Sequence, residues 1–477
     1  MLDKKIGGYT IDEAYDITGG HGFYQYFVVS SCTIAYISKM LYLFSIPLFL
    51  IKPINYHCDN PQKLFKPYPD KYYNFVTEYD LGCDDLRASY IASSFSFGAC
   101  FGSILFGILG DIVGRLPTIT IGQSGMIISL LLLVLFSSYK MCIICTISIG
   151  FFALACGPPT FGFIYDSMHT KYIPFYGTYL HTLFCFGEIV LVILIWTGIK
   201  WRTACYSFIV WKLLFFVLLW KLKESPKYLL NRDKKEIVVR NFEYIAKVNS
   251  CKLPFDFTLL VAEHSIQTSL STKIVKGLLN KALLLELFFC GWIFLASGFI
   301  YYAITMSIQK FKGNIHLNAI INALAEAVSN VISGFVVSKI GNKLSIALFM
   351  LISLLALIGH IFTKDNIILT SLCLCIAKFG VSAELNVGFI YGGESFPSIV
   401  ANISLGICAL FIRIGGMLAP LASNNQYYML LSGIVLAIVA LLAVSGLSMK
   451  KEAIETKPLT EPKNDPIEMQ DFSISHI

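Results

Sequence analysis

Charge is what this chain has least of. Only 14% of its 477 residues are Asp, Glu, Lys or Arg, against about 25% in soluble proteins. Hydrophobic residues make up 56%, and mean hydropathy is strongly positive. A soluble globule of this size could not cover so much apolar surface. The sequence also lacks an HExxH pair, a nucleophile elbow and a glycine-rich phosphate loop in a strand–turn–helix context, so an enzyme reading has no constellation behind it. His169, His181, His316 and His360 are scattered. The net charge of +7 gathers in one loop rather than on a stripe with aromatics, which argues against a nucleic-acid partner. The 14 cysteines do not make a disulfide scaffold. Eleven of them (Cys32, Cys100, Cys142, Cys145, Cys156, Cys185, Cys205, Cys290, Cys373, Cys375 and Cys408) lie in apolar stretches and read as small helix residues. Cys142 and Cys145 form a CxxC inside such a stretch, without histidines, so neither a metal nor a cofactor is expected.

What is present is a series of twelve apolar runs: 26–51, 86–110, 117–137, 141–165, 174–198, 202–221, 282–308, 315–338, 344–362, 367–391, 401–422 and 427–448. Each is close to the ~20 residues that cross a bilayer as a helix, and lipid admits helices because they satisfy their own backbone. The expected fold is an all-α polytopic membrane protein of twelve transmembrane helices. The segments are a polar N-terminal stretch 1–25 without a signal-peptide apolar region, a first bundle 26–221 holding loop 52–85, a linker 222–281, a second bundle 282–448, and a tail 449–477. The tail's Pro and Glu content predicts disorder.

The linker carries eleven basic residues, from Lys223 through Arg232 and Arg240 to Lys281; loop 52–85 has four lysines and six acids. The lysine and arginine bias therefore places the linker and both termini in the cytoplasm and loop 52–85 on the other side. There a Cys58–Cys83 disulfide could persist, against the alternative of two free thiols. The single sequon, Asn402-Ile403-Ser404, falls on the cytoplasmic side of this topology.

The chain repeats itself. Gly107-Ile-Leu-Gly-Asp111-Ile-Val-Gly114-Arg115 follows the second run, and Gly334-Phe-Val-Val-Ser338-Lys-Ile-Gly341-Asn342-Lys343 follows the eighth, an offset of 227. Asp166 ends the fourth run and Glu394 the tenth, an offset of 228. Two six-helix bundles in parallel repeat are a transporter arrangement, with the ligand held between them near mid-membrane. Glycines allow close packing and a tight turn, while Asp111 and Arg115 fall at the cytoplasmic rim, where Arg115 can pair with Asp166.

These residues resemble the major facilitator superfamily and, within it, the organic cation/anion/carnitine transporter family. Asp12-Glu13-Ala14 with Gly22-Phe23-Tyr24-Gln25 is similar to that family's lead-in to its first helix. Pro53 to Cys58 and Thr77 to Cys83 resemble the two ends of its large external loop. Trp201-Arg202, Glu224-Ser225-Pro226-Lys227 and the stretch Ala377-Lys378-Phe379-Gly380 through Glu394 and Pro397 to Arg413-Ile414-Gly415-Gly416 extend the match. The resemblance implies a gate of Asp111, Arg115, Asp166, Glu224 and Glu394. The chain departs from the pattern at Ile173 and Ala401, where arginines are usual, at Ser338 and Asn342, and at Lys227, where an arginine is usual. These departures weaken the gate or rewire it through Lys343 and Glu394.

Ionisable residues at membrane depth face a cavity or a partner. Lys39, Glu188, Glu326, Lys378 and Arg413 stand out, with the titratable His181. The resemblance implies that Arg413 marks anion and carnitine types, because cation types carry an acid there. A guanidinium grips a carboxylate bidentately. Glu326, Lys378, Tyr301 and Tyr302 match family positions near the cavity, and Asn386 is placed beside them; Glu326 is open to two roles, contacting the ligand or neutralising Arg413. Glu188 and Lys39 have no family counterpart and could carry a coupling proton or form half of a buried pair. The expected function is secondary transport of a small organic ion, anion or zwitterion, by alternating access. The chain would act as a monomer in lipid, with a proton or sodium ion as coupling partner and the plasma membrane as the default location. The rivals are a sugar porter of the same superfamily, a transporter-like scaffold or sensor, and a membrane enzyme.

Overall fold

The structure is a computed structural model. It describes residues 9–52, 74–230, 232, 234–254, 281–308, 313–363, 366–396, 401–423 and 425–447. Cys58, the tail 449–477, and the side chains of Asp111, His181 and Glu394 lie outside the described residues.

The apolar runs become twelve long helices: α1 (Phe23–Phe49), α2 (Asp85–Ile112), α3 (Arg115–Leu135), α4 (Tyr139–Asp166), α5 (Ile173–Trp196), α6 (Trp201–Leu219), α7 (Lys281–Met306), α8 (Ile315–Ile340), α9 (Asn342–Phe362), α10 (Ile367–Ser395), α11 (Ala401–Ala422) and α12 (Gln426–Gly446). Their ends fall within four residues of the expected spans. Among the described residues eleven helices are long and apolar enough to cross a membrane, and α5 contributes the shorter apolar run Thr182–Trp196. Residues such as Phe335, Val217 and Leu442 are more than two-thirds exposed, an outer surface that only lipid would cover at no cost.

Local chemistry sets the helix ends. On the face of loop 52–85, polar side chains cap N-termini. Asp84 accepts from the Arg87 amide (2.9 Å) at α2, Asn314 from His316 and Leu317 (2.9 and 3.2 Å) at α8, Asn366 from Ile368 (3.0 Å) at α10, and Asn425 from Tyr427 (2.9 Å) at α12. On the linker face the turns into α3 and α9 are made by Gly114 and Gly341, with φ of 122° and 79°, where a side chain is strained. These two glycines are 227 residues apart, so the sequence repeat is also a backbone repeat. The Gly157-Pro158-Pro159 step interrupts α4, which passes through a 3-10 turn, Leu154–Cys156, and restarts at Pro158.

Packing repeats in the same way. Helix α1 lies on α5 as α7 lies on α11, and α2 on α4 as α8 on α10. The halves meet through α2 against α11 and α5 against α8, a pairing that exchanges when the halves exchange. Ser93 donates to the Met417 carbonyl at 2.8 Å, and the Trp196 and His316 rings stack at 5.5 Å. Both contacts lie toward the face of loop 52–85. On the linker face the short helix Lys235–Val248 buries Val238, Phe242 and Ile245. Its cap, Asn249, accepts from the Tyr24 amide (2.8 Å) and donates to the Thr18 carbonyl (2.8 Å), which fixes the helix to the start of α1.

Glycines let α2 and α4 touch backbone to backbone. A Cβ at Gly98, Gly102 or Gly150 would run into the carbonyl of Ile147, Phe151 or Phe95 respectively. Gly107, by contrast, has open space around it, so the first glycine of the repeated motif makes no close approach here. Substituting Gly150→Val is expected to cost on the order of 1–3 kcal/mol, read as a lower Tm of the purified protein. Gly107→Ala is expected to leave Tm unchanged. Equal losses at the two positions would contradict this packing.

Candidate functional site

Four helices of the second half bring Tyr301, Tyr302, Glu326, Lys378 and Arg413 together. Tyr301 and Tyr302 follow each other on α7, with their rings edge to face at 5.2 Å. The Tyr301 hydroxyl donates to Glu326 on α8 at 2.8 Å. Lys378 on α10 pairs with the same carboxylate at 3.3 Å, donates to the Thr305 hydroxyl at 3.0 Å, and sits 3.1 Å above the Tyr301 ring. Glu326 is 6% exposed and Lys378 2%. The buried acid is therefore neutralised by Lys378 rather than by Arg413, which corrects one of the two roles open to Glu326.

Arg413 on α11 is left with different company. Its Nη1 donates to the Tyr302 hydroxyl at 2.5 Å, and its Nε is buried without a hydrogen-bond partner. Among the described residues no carboxylate pairs with it. The contact depends on Gly416, one turn further along α11. A Cβ there would come within 2.6 Å of the Tyr302 ring and 3.1 Å of the Ser96 hydroxyl. Asn386 is not brought to this group. It donates to Ser333 at 2.8 Å and so ties α10 to α8.

The first half contributes Lys39 on α1 and Glu188 on α5, 5% and 8% exposed. Glu188 lies within electrostatic range of Glu326 and Lys378, and its Oε2 has no hydrogen-bond partner. Two buried charges escaped the sequence reading. Lys212 on α6 is 1% exposed and donates to the Ser38 carbonyl; Glu384 on α10 is fully buried. The signal that marked the others, an ionisable residue inside an apolar run, was there for both.

The expected gate lies on the linker face, and its described contacts join the first bundle to the N-terminal stretch and the linker. Arg115 pairs with Asp166 at 3.4 Å, and Tyr15 donates to the Asp166 carbonyl at 3.0 Å. Glu224 accepts from the Leu116 and Ser225 amides at 3.1 and 2.9 Å. Lys343, in the second half, donates to the Leu447 carbonyl at 2.6 Å and so caps the end of α12. At the other face Glu78 accepts from the Trp201 indole at 2.8 Å and from Arg202, which fastens the end of loop 52–85 to α6. Cys83, beside it, is disulfide-bonded.

Two outcomes follow from these charges. Removing one member of a buried pair strands the other, so Glu326→Gln and Lys378→Met are each expected to cost about 3–5 kcal/mol, with much of the loss recovered in the double variant. A thermal-melt double-mutant cycle measures this, and strictly additive losses would contradict the pairing. At the linker face, burial pushes the Glu224 carboxyl above its ordinary range, while the two amides and Arg115 pull it part of the way back. A pKa raised on folding gives stability that is full below the unfolded value and is lost as pH rises through the folded one. The Tm of the wild type relative to Glu224→Gln is therefore expected to fall as pH rises from about 4 to 7. A rising difference would reverse the assignment.

Known proteins share this architecture. The Major Facilitator Superfamily model matches residues 28–420. Solute carrier family 22 member 6-B of Xenopus laevis is 24% identical over 73% of this chain, which spans 64% of that relative's length. Organic anion transporter 3 of Mus musculus is 24% identical over 82% of this chain and 74% of its own. The organic cation transporter protein of Drosophila melanogaster is 25% identical over 73% and 66%. Among solved structures, the proton:xylose symporter bound to 6-bromo-6-deoxy-D-glucose aligns with a TM-score of 0.65 at 15% identity, covering 88% of this chain and 94% of its own. The inward open conformation of the xylose transporter from E. coli aligns with 0.62 at 13%, covering 90% and 97%. At such identities the xylose transporters speak for the fold alone. The twelve-helix repeat, its paired glycine turns and the match over most of its length lead to one assignment: the chain belongs to the major facilitator superfamily.

Proposed function

We propose that this protein is a secondary transporter that moves a small organic anion across a membrane by alternating access. The observation that carries the reading is Arg413. It is a guanidinium at membrane depth, hydrogen-bonded to a tyrosine and left without a carboxylate, while the neighbouring acid Glu326 is already taken by Lys378. A half-buried cation of this kind, its Nε buried and unpaired, is costly until an anion meets it. Tyr302 can orient the guanidinium, and the adjoining rings offer an apolar wall to the body of an organic carboxylate.

The interface supports the movement. Near the face of loop 52–85, the halves enclose a cavity of about 210 Å³ lined by Pro47, Leu50, Met306 and Pro420, with the Lys52–Asp85 pair (2.6 Å) beside it. Opening that face requires the Ser93–Met417 and Trp196–His316 contacts to part. Cys58 is the proposed partner of Cys83. The plasma membrane, with both termini on the linker side and that side cytoplasmic, is the proposed setting, and the monomer the proposed unit.

Uptake into proteoliposomes tests the reading, with labelled benzoate, tetraethylammonium, carnitine and glucose as probes. Benzoate is expected to enter, and Arg413→Ala to slow it tenfold or more, the loss of a charge-assisted pair. Cation uptake that survives the substitution would make Arg413 structural, and glucose uptake alone would make the protein a sugar porter. Imposed proton and sodium gradients identify the driving ion.

A further inference from the structure

Lys39 has an unusual position for an ammonium group. It is 5% exposed, on α1, in the half opposite Arg413. Its Nζ lies 3.6 Å over the Tyr36 ring, which is itself braced edge to face by Phe161 at 5.1 Å and Phe184 at 5.6 Å. The backbone of α4 makes room for it, because a Cβ at Gly157 would stand 3.3 Å from the ammonium. Among the described residues no carboxylate pairs with Lys39. Glu326 is held by Lys378 and Tyr301, and Glu188, which lies within electrostatic range of Lys378 and Glu326, makes no ion pair with Lys39 among the described residues. Arg413, on the other half, stands within electrostatic range of Lys39.

An aromatic ring offsets only part of what desolvation costs a buried ammonium. A second cation nearby adds repulsion. Two cations from opposite halves, neither with a carboxylate, leave a place where one negative group can satisfy both. We infer that Lys39 is a second anion-gripping residue, donating from α1 to the anionic group that Arg413 holds from α11. The inference rests on the organic-anion reading and adds to it. The bound anion becomes the bridge between the halves, so that its negative charge, more than its shape, draws them together.

The experiment compares ligands that differ in charge alone, with purified full-length protein in lipid nanodiscs. Binding of benzoate and benzamide, and of octanoate and octanamide, is measured for wild type, Lys39→Met, Lys39→Gln, Lys39→Arg and Arg413→Met. The wild type is expected to prefer each carboxylate to its amide. Lys39→Met and Lys39→Gln are expected to weaken carboxylate binding about tenfold or more while leaving amide binding unchanged, and Lys39→Arg to restore most of the preference. If the methionine variant does not fold, the glutamine variant, with its polar tip, carries the comparison. Full carboxylate affinity without Lys39, alongside a loss in Arg413→Met, would overturn the inference and leave the transport reading standing. Equal loss of carboxylate and amide would make Lys39 a packing residue and also overturn it. A wild type that does not prefer carboxylate to amide would remove the organic-anion reading itself.

Discussion

A charge at the centre of a bilayer costs at least ~2.5–3.5 kcal/mol on insertion scales, and the middle of this protein is arranged around that cost. Glu326 and Lys378 meet it by pairing, with Tyr301 and Thr305 satisfying what the pair leaves over. Lys212 meets it by donating to a backbone carbonyl within its own half. Arg413 and Lys39 meet it with aromatic residues alone, a tyrosine hydroxyl for one and a ring face for the other, and they stand on opposite halves within electrostatic range of each other. The remaining features (the repeat, the interface, the aromatic walls) determine where these two cations stand.

The repeat explains why cations on opposite halves can come within range of each other at all. Because α2 meets α11 and α5 meets α8, neither half closes its own inner surface, and each presents helices such as α1 and α7 toward the middle. The glycines within a half make it stiff. Backbones of α2 and α4 touch at Gly98, Gly102 and Gly150, leaving little for side chains to rearrange. The contacts between halves run along α2 against α11 and α5 against α8, and include a serine hydroxyl on a carbonyl, a stacked ring pair and the Asn330 amide on the Cys185 sulfur at 3.8 Å. Stiff halves that meet along two helix pairs are built to move as bodies.

The fold was legible because its signals are coarse. An apolar run of twenty residues survives errors of several positions, and the repeat announced itself through Gly114 and Gly341, whose turns need a residue without a side chain. The charged residues of the site were legible one by one for the same reason. Their pairing was not. Whether Glu326 answers to Lys378 or to Arg413 depends on how four helices are rotated about their axes, a matter of tens of degrees that no linear spacing records. The gate shows the same division. Arg115 with Asp166, both in the first bundle, was readable from the motif, but that Lys343 caps α12 came from geometry. Glu384 and Lys212 carried a visible signal that went unused.

Gly416 has no side chain to offer a ligand, yet the Tyr302 ring rests against it and Arg413 donates to that tyrosine's hydroxyl. A lineage of such proteins drifting toward new cargo can exchange side chains at 413 or 302 and alter the grip directly. It cannot add even a methyl group at 416 without dislodging the tyrosine first. The history of selectivity at this site is thus channelled by a position with no chemistry of its own, and a screen of ligand-facing residues alone would pass over it.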